Sequence, residues 1–350
     1  MVEGLLGSSA MTAPFHLPTD PLPRFLAIYD TARDSGRWYE KQSNSLRHAS
    51  LALTTVDGRP GELVRKMRSV ASELKSASSA FSPMQSAMRY VFASHLVSLG
   101  IAPSRLLVEQ ERLRGYLREE RLPRSTRAYV VITALVLMEQ SMDQDGRPRI
   151  SREQVARMAQ VYRAFKDDHK WITGADDLAA AALLSEEGSH PRAVASHAEA
   201  IYQGLRARRY SRGNALQMVS HLLCLHTDPA DRVVRRFDEI YQAFKGRGLW
   251  MMETDYDEIA ALCFTDVSAS AIVERTLKLR QELRAKNYRL GKNESFSVAA
   301  CLAMLDLLND HRTAHDITAF TMIVRVQAIV QAQQAAVAAS AAGGAAAASG

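Results

Sequence analysis

The chain has 350 residues, 47% apolar and 23% charged, a globular composition that excludes a collagenous, disulfide-scaffolded or disordered protein. At this length folding buries about three quarters of the extended surface, so the three cysteines are not needed as staples and fit a reducing cytoplasm. The formal charge of +6 permits an anionic partner without demanding one.

In chain order, residues 1–24 carry Gly4, Gly7, Ser8, Ser9, Pro14, Pro18, Pro21 and Pro23 and read as a flexible leader, with Met11 as an alternative start. They have no basic start and no compact apolar core, so they are not a secretory signal. Arg24 to Leu53 carries helical periodicity through Phe25, Ile28, Tyr29, Trp38 and Leu46, and reads as a capping hairpin. Asp57-Gly58-Arg59-Pro60 is a turn. Helix pairs follow, separated at Gly100–Ser104, Asp143–Pro148, Gly188–Pro191, Thr227–Ala230 and Thr265–Ser268. Ser or Asp ahead of Pro or Ala suits a helix start, because the side-chain oxygen caps a free N–H and Pro lacks the N–H that would be orphaned. The longest uncharged apolar run, Ala128 to Met138, is too short to span a bilayer and fits a buried helix. Phe296 to about Gln334 reads as one long helix or two. Residues 335–350, almost all Ala, Ser and Gly, have nothing to pack and are expected to fray.

Within residues 25–334 a unit repeats. Leu74, Leu117, Phe165, Leu205, Phe244 and Leu283 recur as one landmark, and Phe81, Leu122, Trp171, Tyr210, Trp250 and Tyr288 as a second. From Trp171 onward the second landmarks are 39, 40 and 38 residues apart; upstream the intervals stretch to 41 and 49. Three turns share aromatic-x-x-Gly, and each turn from Trp171 on leads into an Ala-rich apolar run. A period near 39 residues with two helices per unit predicts an all-α array of about six helical hairpins, since one hairpin cannot bury its apolar face alone. An α-solenoid superhelix is the preferred form; a closed α/α toroid is the alternative, because six hairpins also suffice to close a ring.

Candidate sites are few. Cys224, Cys263 and Cys301 fall at one repeated position, where Leu184 sits in the Trp171 unit, and read as buried core. His221, Cys224 and His226 lack a second pair to complete a metal site. His311 and His315, four apart among Asp306, Asp310 and Asp316, read as a solvated turn. Asp176-Asp177 and Asp255-Tyr256-Asp257 follow the aromatic turns and read as helix-start acids. No phosphate loop, nucleophile elbow or zinc-protease helix is present, so the sequence names no catalytic residue, no metal ligand and no cofactor.

The turns within the hairpins are rich in cations: Arg121, Arg124 and Arg127; Lys170; Arg206, Arg208, Arg209 and Arg212; Lys245 and Arg247; Arg284, Lys286, Arg289 and Lys292. In a stacked array these turns align along one edge and raise a positive potential suited to an acidic protein or a phosphate polymer. Glu119, Glu120, Asp167, Asp168, Asp176 and Asp177 dilute it, and the aromatics of the turns are expected to pack inside the hairpins.

The run Trp171 to Leu184 (Trp-Ile-Thr-Gly-Ala-Asp-Asp-Leu-Ala-Ala-Ala-Ala-Leu-Leu), the Ala80–Met84 turn and the Gln/Ala-rich tail resemble an uncharacterised bacterial family, domain of unknown function number 4003. The resemblance covers roughly residues 25 to 330. It implies a cytoplasmic all-helical bacterial protein and carries over no activity, cofactor or catalytic residue. The functional expectation is a non-catalytic scaffold that binds a protein or polyanionic partner through its concave face or basic edge. Arg206, Arg208, Arg209, Arg212, Arg284, Lys286, Arg289 and Lys292 are the expected contact residues. A protein is the expected partner ahead of nucleic acid, with no membrane. The alternative is an enzyme with an acidic and His site in a toroid's funnel.

Overall fold

The computed structural model describes residues 18–36, 44–123, 127–141, 148–185, 190–226, 228–286 and 292–309. Among them are fourteen α-helices and no strand. Seven alternate with the other seven, and the two sets differ in kind. The first set is α1 (Pro21–Asp34), α3 (Pro60–Ser76), α5 (Pro103–Glu119), α7 (Arg152–Asp168), α9 (Pro191–Ala207), α11 (Ala230–Gly246) and α13 (Ala269–Ala285). All but α1 have 17 residues, about 25 Å at 1.5 Å per residue. They are amphipathic: α11 buries Val233, Val234, Phe237, Ile240 and Phe244, one stripe at helical spacing, and leaves its charges in solvent.

The second set is α2 (Asn44–Thr54), α4 (Met88–Leu99), α6 (Arg127–Gln140), α8 (Asp177–Leu183), α10 (Asn214–Leu223), α12 (Tyr256–Leu262) and α14 (Lys292–Asn309). These are buried over most of their surface; every residue of α8 is buried. Helices of that kind belong inside. The pairing follows: α3 packs on α4, α5 on α6, and so on to α13 on α14, with α1 on α2 as the added first hairpin. Outer helices touch outer neighbours and inner helices touch inner neighbours along the chain.

The array then returns on itself. The last described helix, α14, packs against both α1 and α2. The inner layer therefore runs α2, α4, α6, α8, α10, α12, α14 and back to α2, which is the closing contact of the toroid alternative; an open superhelix would leave α14 and α2 apart. The seven hairpins share one continuous core.

Local chemistry sets the boundaries. Pro stands at the start of α1, α3, α5 and α9. Ser151 and Gln154 form a reciprocal capping box on α7, and the Ser268 hydroxyl accepts from the Ala271 N–H on α13. His190 and Pro229, ahead of α9 and α11, make no such side-chain bond. The helix α1 begins at Pro21, with Leu22 and Phe25 buried, inside the stretch read from sequence as leader. Its Arg24 donates to the carbonyls of Thr54, Val56 and Gly58, and Arg236 of α11 does the same to Thr265 and Val267. Each arginine thus ties down the joint that follows its own hairpin. The tail 335–350 and residues 310–334 lie outside the described residues.

Candidate functional site

All outer helices run the same way, because each hairpin doubles back before the next outer helix begins. Their C-terminal turns consequently share one edge of the ring. The first landmark is buried in every unit: Leu74, Leu117, Phe165, Leu205, Phe244 and Leu283 are at most 2% exposed. The second is not, which corrects the expectation of aromatics packed within the hairpins. Leu122 and Tyr210 are buried at 7%, whereas Phe81, Trp171 and Trp250 are 84%, 99% and 89% exposed. Tyr288 lies outside the described residues.

The cause is a count of residues. Leu122 and Tyr210 stand five residues after their buried partners Leu117 and Leu205, and each donates its N–H to that partner's carbonyl, at 2.9 and 3.4 Å. The residue before each, Arg121 or Arg209, takes the left-handed conformation, φ 55° and 68°. This is the helix-ending motif in which the residue after the left-handed one folds back onto the last turn. In the α11–α12 turn Gly248 (φ 77°) takes the left-handed position and Leu249 donates to the Phe244 carbonyl at 3.3 Å. Leu249 packs on the core, and Trp250, one residue further on, is left outside.

The α7–α8 turn reaches the same result by substitution. Tyr210 donates its hydroxyl to Asp238 Oδ1 at 2.8 Å and meets Tyr241 edge-on at 4.9 Å, the ninth and twelfth residues of α11. The ninth and twelfth residues of α9 are Glu199 and Tyr202. His169 fills that slot, with Nε2 2.6 Å from Glu199 Oε2 and its ring 4.4 Å from Tyr202. Trp171 has no place left inside.

Of the cations expected on this edge, Arg209, Arg212, Arg284 and Lys286 are exposed and Arg206 is half-buried. None of these five makes an ion pair among the described residues. Arg208 is 3.4 Å from Asp238 and bonds the Gly204 carbonyl. Arg289 and the side chain of Lys292 lie outside the described residues. Three of the six acids that dilute the edge are paired with arginines: Glu119 with Arg152, Glu120 with Arg163, Asp168 with Arg192.

A second constellation joins hairpins four and five. Asn214, Gln217 and His221 lie on one face of α10 at spacings of three and four. Asn214 donates to Asp176, Gln217 Nε2 to Thr173 Oγ1 at 2.8 Å, and His221 stacks on Phe165 at 4.0 Å. His221 Nδ1 is 3.2 Å from Asp177 Oδ1, both side chains buried, but off the line a hydrogen bond requires. Asp177 Oδ2 accepts from the Gly174 N–H at 2.8 Å, and Asp255 does likewise for Met252 at 2.7 Å. These two acids close their turns as expected of helix-start acids; Asp176 instead holds α10.

Burial, and then the neighbouring Asp177, pushes the Asp176 carboxyl above its ordinary range. Burial followed by the two aspartates raises the Tyr129 and Tyr162 hydroxyls, Tyr162 to about 12, and its OH has no partner among the described residues. Beside this seam Phe165, Asp168, His169, Glu199, Ser220 and His221 line a cavity of ≈ 10 Å³, room for about one water. On α12, burial and then Glu258 push the Asp257 carboxyl up to about 8.

Cys224, Cys263 and Cys301 are buried, in the column shared with Leu184. Cys224 Sγ contacts the Val194 carbonyl and His226 stacks on Phe264, so neither faces a common point with His221. Among the described residues no group of three or more His, Cys, Asp or Glu is placed to hold a metal ion. His311 and His315 lie outside them, and Asp306 is paired with Arg275. Sequence reasoning missed Glu109, fully buried between Arg105 and Arg112 and accepting from the Ile150 N–H at 2.9 Å. One of three glutamates among the arginines of α5, it gave no signal for that.

Fold and edge together define an all-helical hairpin protein with a cationic, aromatic-studded rim. The chain belongs to the family described as Protein of unknown function (DUF4003), whose profile matches residues 28–335. It is also similar to the uncharacterized protein YeaA of Bacillus subtilis (strain 168), 24% identical over 313 residues, 89% of this chain and 91% of that one. No solved structure matches the chain at a significant level. Among the described residues no single helix is long and apolar enough to cross a membrane.

Proposed function

We propose that the protein is a non-catalytic helical scaffold, working in the cytoplasm, that holds a polyanionic partner on the edge formed by its outer-to-inner turns. One observation carries the reading: Arg209, Arg212, Arg284 and Lys286 are exposed and make no ion pair among the described residues, while three of the six acids on the same edge are spent on neighbouring arginines. The edge therefore keeps more positive potential than the sequence count suggests. The concave face contributes less, because inner helices such as α8 expose no surface.

The test is binding of fluorescent poly-glutamate and of duplex DNA at low and high salt. Wild type should bind one of them with salt-sensitive affinity, and a variant with Arg209, Arg212, Arg284 and Lys286 changed to Glu should lose at least tenfold. A control with Arg65 and Lys66 of α3 changed to Glu should bind as wild type. Equal binding by wild type and the edge variant would sink the proposal.

An enzyme with an acidic and His site is the second reading, favoured by the buried Asp177–His221 pair beside the buried Tyr162 and the half-buried Tyr129. Against it, Asp177, Asp176 and Gln217 each already hold a turn or a neighbouring helix, and the adjoining cavity has room for a water and no substrate.

A further inference from the structure

The exposed aromatics occupy alternate hairpins: Phe81 the second, Trp171 the fourth and Trp250 the sixth, counting α1–α2 as the first. Two helix spacings of 8–10 Å each put neighbouring members of this set about 20 Å apart around the ring. All three stand on turns at the same end. Between and beside them stand exposed cations: Lys75 before Phe81, Lys170 beside Trp171, Lys245 before Trp250, and Arg212 and Lys286 on turns that carry no exposed aromatic among the described residues.

A protein partner is met by a contiguous patch, with anchors clustered at a desolvated centre and packed against one another. Isolated rings about 20 Å apart, separated by charge, do not build such a centre. They do suit a flat lipid surface. Trp settles at the level of the headgroups with its ring partly immersed, and each ring can enter independently of the others. Lysines and arginines on the same edge meet anionic headgroups, whose potential attracts juxtamembrane cations within a Debye length. Complementary charge and the separation of the exposed rings both favour that occupant. Exposing Trp250 and Trp171 to water offers the fold nothing, since Leu249 and His169 already complete the packing beneath them.

We infer that this edge docks the ring peripherally on an anionic membrane surface, with Phe81, Trp171 and Trp250 as a tripod of interfacial anchors and the turn cations as the electrostatic component. The inference rests on the edge reading given under the proposed function and names its partner.

The experiment is co-flotation of the full chain with vesicles of phosphatidylcholine alone or mixed with phosphatidylglycerol, with tryptophan emission followed in a Trp38→Phe background. Anionic vesicles should carry the protein and shift emission to the blue, and neutral vesicles should not. Changing Phe81, Trp171 and Trp250 to Ser should weaken flotation at least tenfold. Changing Lys170, Arg212 and Lys286 to Glu should do the same, with melting curves unaltered because all six side chains are exposed. The Arg65→Glu/Lys66→Glu control should float as wild type. Flotation that ignores both sets of changes, or that is equal on neutral vesicles, overturns the tripod. Failure to float together with salt-sensitive poly-glutamate or DNA binding overturns the membrane inference and leaves the edge reading standing; failure of both removes both.

Discussion

Compare Phe244 with Trp250. Both are large aromatic residues, six positions apart in one hairpin, yet one is fully buried and the other 89% exposed. Phe165 and Trp171 repeat the contrast. The lesson is that apolarity does not decide burial at a helix end; the count from the last inward position does. Five residues on, the left-handed turn folds the chain back onto the core, and six or seven residues on it has passed the rim.

The comparison can be broken in several places. The largest expected effect is at the buried column: Phe244→Ala should cost ~3–5 kcal/mol in urea unfolding, through lost contacts and the cavity left among α11, α12 and α14. Deleting Leu249 moves Trp250 into the fifth position. In a background with Trp38 and Trp171 changed to Phe, its emission should shift to the blue while stability falls by ~1–3 kcal/mol from overpacking. Unchanged emission would mean that residue type and not count governs the turn.

Asp177→Ala should cost ~1–3 kcal/mol, because the Gly174 N–H loses its acceptor, and the loss should be visible in the melting temperature. The pH dependence is smaller and has a definite sign. The Asp257 carboxyl titrates near 8 in the fold and near its ordinary 3.8 when unfolded, so the folded state holds the extra proton between them. Stability is full below about pH 4 for this group and is lost as pH rises through about 8. Part of the Asp257 surface is open, so the loss is a fraction of what full burial would give: at least ~1 kcal/mol, which Asp257→Asn should remove. Burial holds the His95 and His226 imidazoles down to about 4, so their contribution has the opposite sense and is lost as pH falls from 6.5 toward 4. Smallest of all, Trp171→Ala and Trp250→Ala should leave stability within ~0.5 kcal/mol of wild type.

Much of this fold was legible in the sequence. The six buried landmarks, the helix pairs and most joints follow from periodicity and from Pro, Gly and Ser at fixed offsets. Three features were not. Ring closure depends on α14 meeting α1 and α2, contacts between residues some 250 positions apart that no local pattern encodes. The slot that takes His169 or Tyr210 is built by the ninth and twelfth residues of the following outer helix, so matching aromatics along the chain put Trp171 where His169 belongs. The cationic edge was visible as composition, but its net strength was not, since the partners of Glu119, Glu120 and Asp168 lie on neighbouring helices.

Closure also has a consequence for how such a chain can change over time. An open stack of hairpins can gain or lose a unit at either end and keep its remaining interfaces. A ring has no spare end: inserting or removing one hairpin alters the curvature demanded of every inner contact, α8 on α10 as much as α14 on α2. The number of hairpins is therefore an integer fixed by geometry, and variation is channelled into the turns on the rim, where lengths of five, six or seven residues are each tolerated and only the outward-facing side chain changes.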